Sequence, residues 1–305
     1  MPFSDQYRKQ AELLVRILPF VSQEKCFALK GGTAINLFVR DLPRLSVDID
    51  LTYVPVQPRE DSLAAIDAAM KRIAETAGSG SPAENIVAGT PNAEGAVTKL
   101  FARGGGVQIK IEVTPVLRGC VFEPETRSVS AKVEDNFGYA ETQLVSFADL
   151  YGGKIVAALD RQHPRDLFDI RDLLASEGID DDLRRAFIAY LLSHDRPMHE
   201  VVGTTRKDIS QEYERGFAGM TETPVTLDEL LDARETLIQN IFGNMPDDHR
   251  RLLISFERGE PDWSLLGMDH IPYLPAIRWR QLNLDKLDAT KRAQLVSELE
   301  RELGV

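Results

Sequence analysis

The feature that most restricts how this 305-residue chain can fold is a change of character at Ser146. Before it, short runs rich in β-branched and aromatic residues alternate with helical patterns and glycine-rich turns. After it, apolar residues recur only at helical spacing. The pattern predicts an α+β protein in two parts: a core domain with a mixed sheet over 1–145 and an all-helical domain over 146–305. The length, about twice that of a usual single domain, agrees with two parts.

Within the first part, helical spacing over 4–18 predicts a helix that stops at Pro19. A short strand over 26–30, a Gly31-Gly32 turn, a helix over 33–40 and a second strand over 45–54 follow. A further helix is predicted over 59–77 and a loop rich in Gly, Ser, Pro and Asn over 78–95. Runs over 97–103 and 107–117, joined by Gly104-Gly105-Gly106, read as a hairpin, with further strands near 127–133 and 142–145. In the second part Ser146 and Asp149 mark a helix start, and Pro164 separates the first helix from one over 165–176. Thr226 and Glu229 form a capping-box spacing before a helix over 227–242. A terminal helix is predicted over 284–303.

Charge narrows the function classes. The net charge of −12 excludes a protein that coats nucleic acid through its whole surface. The acid is concentrated late, with 16 Lys and Arg against 25 Asp and Glu over 176–305, compared with 20 against 23 before it. A nucleic-acid contact therefore requires a local basic patch, for which the earlier residues are the better source. No run is long enough to cross a membrane and no signal-peptide pattern opens the chain, so a cytoplasmic protein is expected. Cys26 and Cys120 are too far apart for a Cys-x-x-Cys unit and read as buried side chains. His194 and His199 are too loosely spaced for a helical metal pair. Tyr273, Trp263 and Trp279 read as packing for the last helices.

The chemistry lies in GGTAINLFVRDLPRLSVDID, Gly31 to Asp50. On a strand, residues two apart face one side, so Asp48 and Asp50 point together while Val47, Ile49 and Leu51 lie behind. Paired carboxylates repel, and a hard divalent cation removes that cost while leaving room for water and phosphate oxygens. Asp180 and Asp182 repeat the spacing but read as a helix start. Only the first pair has a glycine turn before it, which offers backbone amides, a hydroxyl and a helix amino terminus to a phosphate.

GGTAINLF followed by RLSVDIDL resembles the signature of the AbiEii/AbiGii nucleotidyltransferase toxins, of the polymerase-β-like nucleotidyltransferase superfamily that includes MenT-like toxins. Thr33 stands where Ser is usual, and the spacer to the acids is slightly longer. The resemblance, over roughly residues 28–172, implies a polymerase-β-like core, an NTP substrate and Mg²⁺ or Mn²⁺. By that resemblance Asp48 and Asp50 are catalytic metal ligands, with Glu112 as a third, and Gly31, Gly32, Thr33 and Ser46 bind the nucleotide. Its later motifs match Asp149 to Lys154 and Arg161 to Asp166, with Asp169 one turn beyond. They imply that Lys154 neutralises the triphosphate and that Asp166 or Asp169 serves as base, at a seam between the domains. Each also has a plainer reading: Glu112 as a solvent-facing strand residue, Lys154 as a solvated helix lysine, and Asp166 and Asp169 as ion-pair partners of Arg161, Arg165 and Arg171. The glycines before Lys154 allow close approach of either a phosphate or another backbone.

In some relatives the acceptor is the 3′ end of tRNA, and such toxins are paired with a cognate antitoxin. A tRNA acceptor here would call on Lys30, Arg40, Arg44, Arg103, Lys110, Arg118, Arg161 and Arg165. An aminoglycoside-like hydroxyl compound or a protein side chain is an alternative acceptor, and a partner-binding module without turnover is an alternative of another class.

Overall fold

The computed structural model describes residues 4–78 and 85–305. The chain divides into two compact units, Met1–Ser146 with Ala218–Pro224, and Phe147–Phe217 with Val225–Val305. A boundary at 145/146 does not contain the return of Ala218–Pro224 to the first unit. That segment is fastened through its backbone: the Leu45 amide donates to the Met220 carbonyl at 3.3 Å, and the Glu222 amide donates to the Pro43 carbonyl at 2.9 Å. Lys132 adds an ion pair to Glu222 at 2.5 Å.

The first unit is built on a seven-stranded mixed sheet. Its strands are β1 (Phe27–Lys30), β2 (Asp48–Tyr53), β3 (Asn85–Ala88), β4 (Lys99–Gly104), β5 (Val107–Arg118), β6 (Glu125–Ser128) and β7 (Glu141–Leu144). The spatial order is β3-β4-β5-β2-β1-β7-β6. β2 runs parallel to β5 and antiparallel to β1. Ile49, Leu51, Ile111 and Val113 are buried on one face of the central strands. Helices α1 (Asp5–Val21) and α3 (Arg59–Gly78) pack on the sheet, α1 against β5 and β7 and α3 against β3 and β4. Burying each of these large apolar side chains stabilises the unit by about 1.5–3 kcal/mol.

Several local expectations are corrected. Helix α1 passes through Pro19 and ends at Val21. The proline is exposed and sits in the last turn, so its missing amide removes a single intrahelical bond and only two residues of the helix follow it. Residues 79–84 of the loop expected over 78–95 lie outside the described residues, while Asn85–Ala88 forms β3 against β4. The run expected as a strand over 127–133 ends at Ser128 and turns into α4 (Ala131–Phe137), whose Val133 and Phe137, one helical turn apart, are both buried. The β4–β5 hairpin closes on Gly105 and Gly106, both with positive φ (59° and 76°), as a tight two-residue hairpin turn requires.

Among the described residues of the second unit the regular elements are all helices. Its helices are α5 (Phe147–Asp160), α6 (Pro164–Ser176), α7 (Asp181–Leu192), α8 (Met198–Val202), α9 (Ser210–Gly216), α10 (Leu227–Ile238), α11 (Asp247–Arg258), α12 (Pro275–Asp285) and α13 (Ala289–Leu303). The Thr226–Glu229 capping box is formed in both directions at the start of α10. Asp180 caps α7, accepting from the Leu183 amide at 2.8 Å, so the second Asp-x-Asp is a helix start as expected. The terminal helix expected over 284–303 is interrupted: α12 ends at Asp285 and α13 restarts after Asp288, whose carboxylate accepts from the Lys291 amide at 2.9 Å.

Gly152 settles which close approach its position serves. An added Cβ would stand 2.9 Å from both the Ala186 carbonyl carbon and the Phe187 amide nitrogen, so the glycine lets α5 and α7 meet backbone to backbone. Gly152→Ala is expected to cost about 1–3 kcal/mol by overpacking this contact. Urea unfolding of the variant checks the figure, and an unchanged midpoint would contradict it.

Candidate active site

The site is built from the edge of β1, the turn after it, and the facing residues of β2 and β5. Lys30 pairs with Asp50, and Asp50 with Glu112, so the three lie in one row across the sheet; Lys99 of β4 continues it. Asp48 pairs with Lys110 one step along. Side chains of paired residues share a face, so this charged face is opposite the apolar one that holds Ile49 and Ile111.

Gly31 opens a short helix, α2 (Gly31–Ala34), which widens to a π-helical turn over Ile35–Val39. Gly31 has φ +73°, and an added Cβ would stand 2.9 Å from Asp50 Oδ2. The Asp50 carboxylate is therefore closed against the glycine turn. At Gly32 an added Cβ would stand 2.8 Å from Ser46 Oγ and 2.9 Å from Arg44 Nη2. Gly31→Ala combines backbone strain with displacement of Asp50, and is expected to lower turnover about 100-fold, since misplacing a reacting group by about 1 Å has that effect. Steady-state kinetics of the folded variant checks this.

Thr33 departs from its expected role. It is buried, and its hydroxyl donates to the Asp48 carbonyl at 2.5 Å, with Ser46 Oγ at 3.1 Å. A hydroxyl has a single proton, and here it ties the turn to the start of β2 and is not offered to a ligand. Ser46, half-buried beside Gly32, is the hydroxyl of the turn that remains partly accessible.

The charges on this face are unequal in environment. Burial, and then the neighbouring Asp48, push the Asp50 carboxyl up. Desolvation pushes the Lys30 ammonium down, with Asp50 the main opposing charge. Lys30 also donates to Thr114 Oγ1 at 3.3 Å. Burial opposes the charge on Glu112, but Lys110 and Lys99 outweigh it and hold this carboxyl low. The two ammonium groups lie 2.7 and 3.0 Å from its oxygens.

Among the described residues no three acids, histidines or cysteines stand together as a ready metal cluster. Glu112, expected as the third ligand, is in this geometry the partner of Lys99 and Lys110. Asp48 and Asp50 fit a hard divalent cation by donor chemistry, and the burial that penalises the charge of Asp50 is what a cation would relieve.

Lys154, Asp166 and Asp169 form a cluster of their own within the second unit. Lys154 Nζ lies 2.8 Å from Asp166 Oδ1 and 3.0 Å from Asp169 Oδ2, and all three side chains are buried. Arg161 grips Asp166 with two bonds, Nε to Oδ2 at 2.5 Å and Nη2 to Oδ1 at 3.0 Å. Burial raises the cost of the Asp166 charge, but Lys154 and then Arg161 outweigh it and hold the carboxyl well below the usual range. A carboxylate so held is a weak base with both oxygens engaged, so the expected base role for Asp166 does not suit this geometry. Lys154 is a buried ion-pair residue and not a solvated lysine.

The expected basic patch is also corrected. Arg44 and Arg118 are buried, and Lys110 is engaged with Glu112. Arg103 is exposed, as is Arg161, which is already bonded to Asp166. Sequence reasoning missed Lys99, whose place beside Glu112 is set by strand pairing, and the contact of Arg44 with the glycine turn, made by a residue that read as surface charge.

The glycine turn, the paired acids and the charged face of the mixed sheet now stand beside the comparisons with known proteins. The profile of a family described as nucleotidyl transferase AbiEii toxin, type IV TA system, matches residues 12–280. The chain belongs to this family. It is a nucleotidyltransferase toxin of a type IV toxin–antitoxin system. No curated protein sequence matches it significantly. Among solved structures, MenT4, a nucleotidyltransferase toxin from Mycobacterium tuberculosis, is similar with a TM-score of 0.57 at 15% identity, over 96% of this chain and 92% of that one. That likeness supports the α+β nucleotidyltransferase fold. Among the described residues of the AbiEii-family chain no helix is long and apolar enough to cross a membrane.

Proposed function

We propose that this AbiEii-family toxin, with Mg²⁺ or Mn²⁺ held by Asp48 and Asp50, transfers a nucleotide from an NTP to the 3′ end of tRNA in the cytoplasm, the acceptor hydroxyl bonding to the α-phosphorus as the α–β phosphoanhydride bond breaks and pyrophosphate leaves, and that a cognate antitoxin opposes it. The observation that carries the reading is the Asp50 carboxylate closed against the Gly31 turn, on the same face of β2 as Asp48. Bound there, the cation offsets negative charge on the phosphates. The chain supplies the rest of the charged face. The amides that open the helix at Gly31, Gly32 and Thr33 suit phosphate oxygens, and the Ser46 hydroxyl beside them adds a side-chain donor. The Thr33 hydroxyl holds that turn to β2, and Lys30 adds fixed positive charge next to Asp50. A carboxylate of the Asp48 and Asp50 pair takes the proton of the acceptor hydroxyl, a role that the lysines on both oxygens of Glu112 and the bonds of Asp166 make unsuitable for those two. Lys154, Asp166 and Asp169 are assigned to the stability of the helical unit.

The test is to incubate the protein with Mg²⁺ or Mn²⁺, each labelled NTP in turn, and total RNA. Label in tRNA that is lost with Asp48→Ala supports the reading. The acidic balance of −12 favours a second one, a cationic small hydroxyl compound as acceptor. Label found only in a small amine, or only in protein, would replace tRNA with that acceptor.

A further inference from the structure

We infer that the exposed rings of Tyr273 and Trp279, with Arg278 and Lys286, form a stacking surface for single-stranded nucleic acid on the helical unit. The sequence predicts both rings as packing for the last helices, and the structure places them otherwise: Tyr273 is 57% and Trp279 56% exposed. Trp263 does pack, edge-on against Phe256 at 5.9 Å. Two large aromatic side chains left more than half in water offer flat faces on which a ligand can stack.

The cations identify its class. Arg278 lies over the Tyr273 ring at 5.2 Å, and Lys286 lies over the Trp279 ring at 5.4 Å. Residues 270–292 hold five Lys and Arg, of which Arg280 is buried, against two Asp and Glu, whereas the rest of 176–305 holds 11 against 23. An aromatic face flanked by fixed positive charge matches an unpaired base joined to a phosphate: the ring stacks and the cation meets the backbone. A protein interface would use the rings, the exposed Leu282 and Arg278 as well, but lysine is depleted from such interfaces, so Lys286 over Trp279 favours an anionic ligand. Duplex nucleic acid has no free base faces to offer.

Trp263→Phe leaves Trp279 as the sole tryptophan of the full chain, because the sequence holds two. Asp48→Ala is added so that binding is read without turnover. Titration with a short unstructured RNA oligonucleotide is expected to quench Trp279 to saturation. In the same background, followed by fluorescence anisotropy of labelled RNA, Trp279→Ala should weaken binding about tenfold, the loss of one base stack. Lys286→Glu should weaken it further at low salt and flatten its salt dependence. Circular dichroism melts confirm that the exposed substitutions leave the fold intact. Absence of quenching, parental affinity in Tyr273→Ala/Trp279→Ala, or equal binding of a duplex of the same sequence would overturn the inference and leave the surface to a protein partner. Label transferred to RNA equally by the parent and by Tyr273→Ala/Trp279→Ala would overturn it too, while leaving the transfer reading intact.

Discussion

Asp50→Asn is expected to abolish nucleotidyl transfer, by about 10³-fold or more, while leaving the protein as stable as the parent or more so. The two effects have one cause. Burial and the adjacent Asp48 make the ionised Asp50 costly in the folded chain, so its carboxyl is pushed up and a neutral amide removes a penalty. The same charge is what a divalent cation and its phosphates require. Turnover measured with saturating NTP and cation, beside urea unfolding of both proteins, reads the two together. A variant that keeps activity would remove Asp50 from the reaction, and one that unfolds more easily than the parent would contradict the stability half.

Lys154→Ala is expected to cost about 3–5 kcal/mol of stability, because it leaves two buried carboxylates short of a partner. Arg161 still grips Asp166, whereas Asp169 loses the ammonium 3.0 Å away. The pH dependence is assigned to Asp166. Its folded carboxyl is held below the unfolded value, so its contribution is fully present above the unfolded pKa, about 3.9, and fades as pH falls through the folded value. Asp166→Asn should therefore destabilise most at neutral pH, and its gap to the parent should narrow below about pH 4. Urea midpoints at pH 7 and in acid measure this. A gap that does not change with pH would show that packing, not charge, decides the cluster. Turnover of Lys154→Ala at a temperature where it remains folded separates a part in the reaction from the structural role assigned to it.

Much of the charged face was legible because strand period and turn chemistry are local. Asp48 and Asp50 share a side by alternation, and Gly31 occupies a positive φ that glycine adopts freely. The capping box at Thr226 and the cap at Asp180 could be read for the same reason. Three side chains have partners that were not expected, because a side chain with two uses looks the same in sequence. The Thr33 hydroxyl serves a backbone carbonyl as well as it would a phosphate. Glu112 pairs with lysines as well as it would bind a cation. Arg44 reads as surface charge, yet it is buried against Gly32.

What the sequence by itself determined is direction: which residues of a strand face together, where glycine must bend the chain, and where helices begin. Partnership was decided by the tertiary structure alone. The parallel pairing of β2 with β5 sets Glu112 beside Asp50, the return of Ala218–Pro224 fastens the approach to Ser46, and the α5–α6 contact brings Lys154 to Asp166 and Asp169. Direction follows from backbone geometry within a few residues. Partnership depends on closing loops of tens of residues, where the favoured pairing is the one that buries most apolar surface across the whole unit, and no local pattern records that choice.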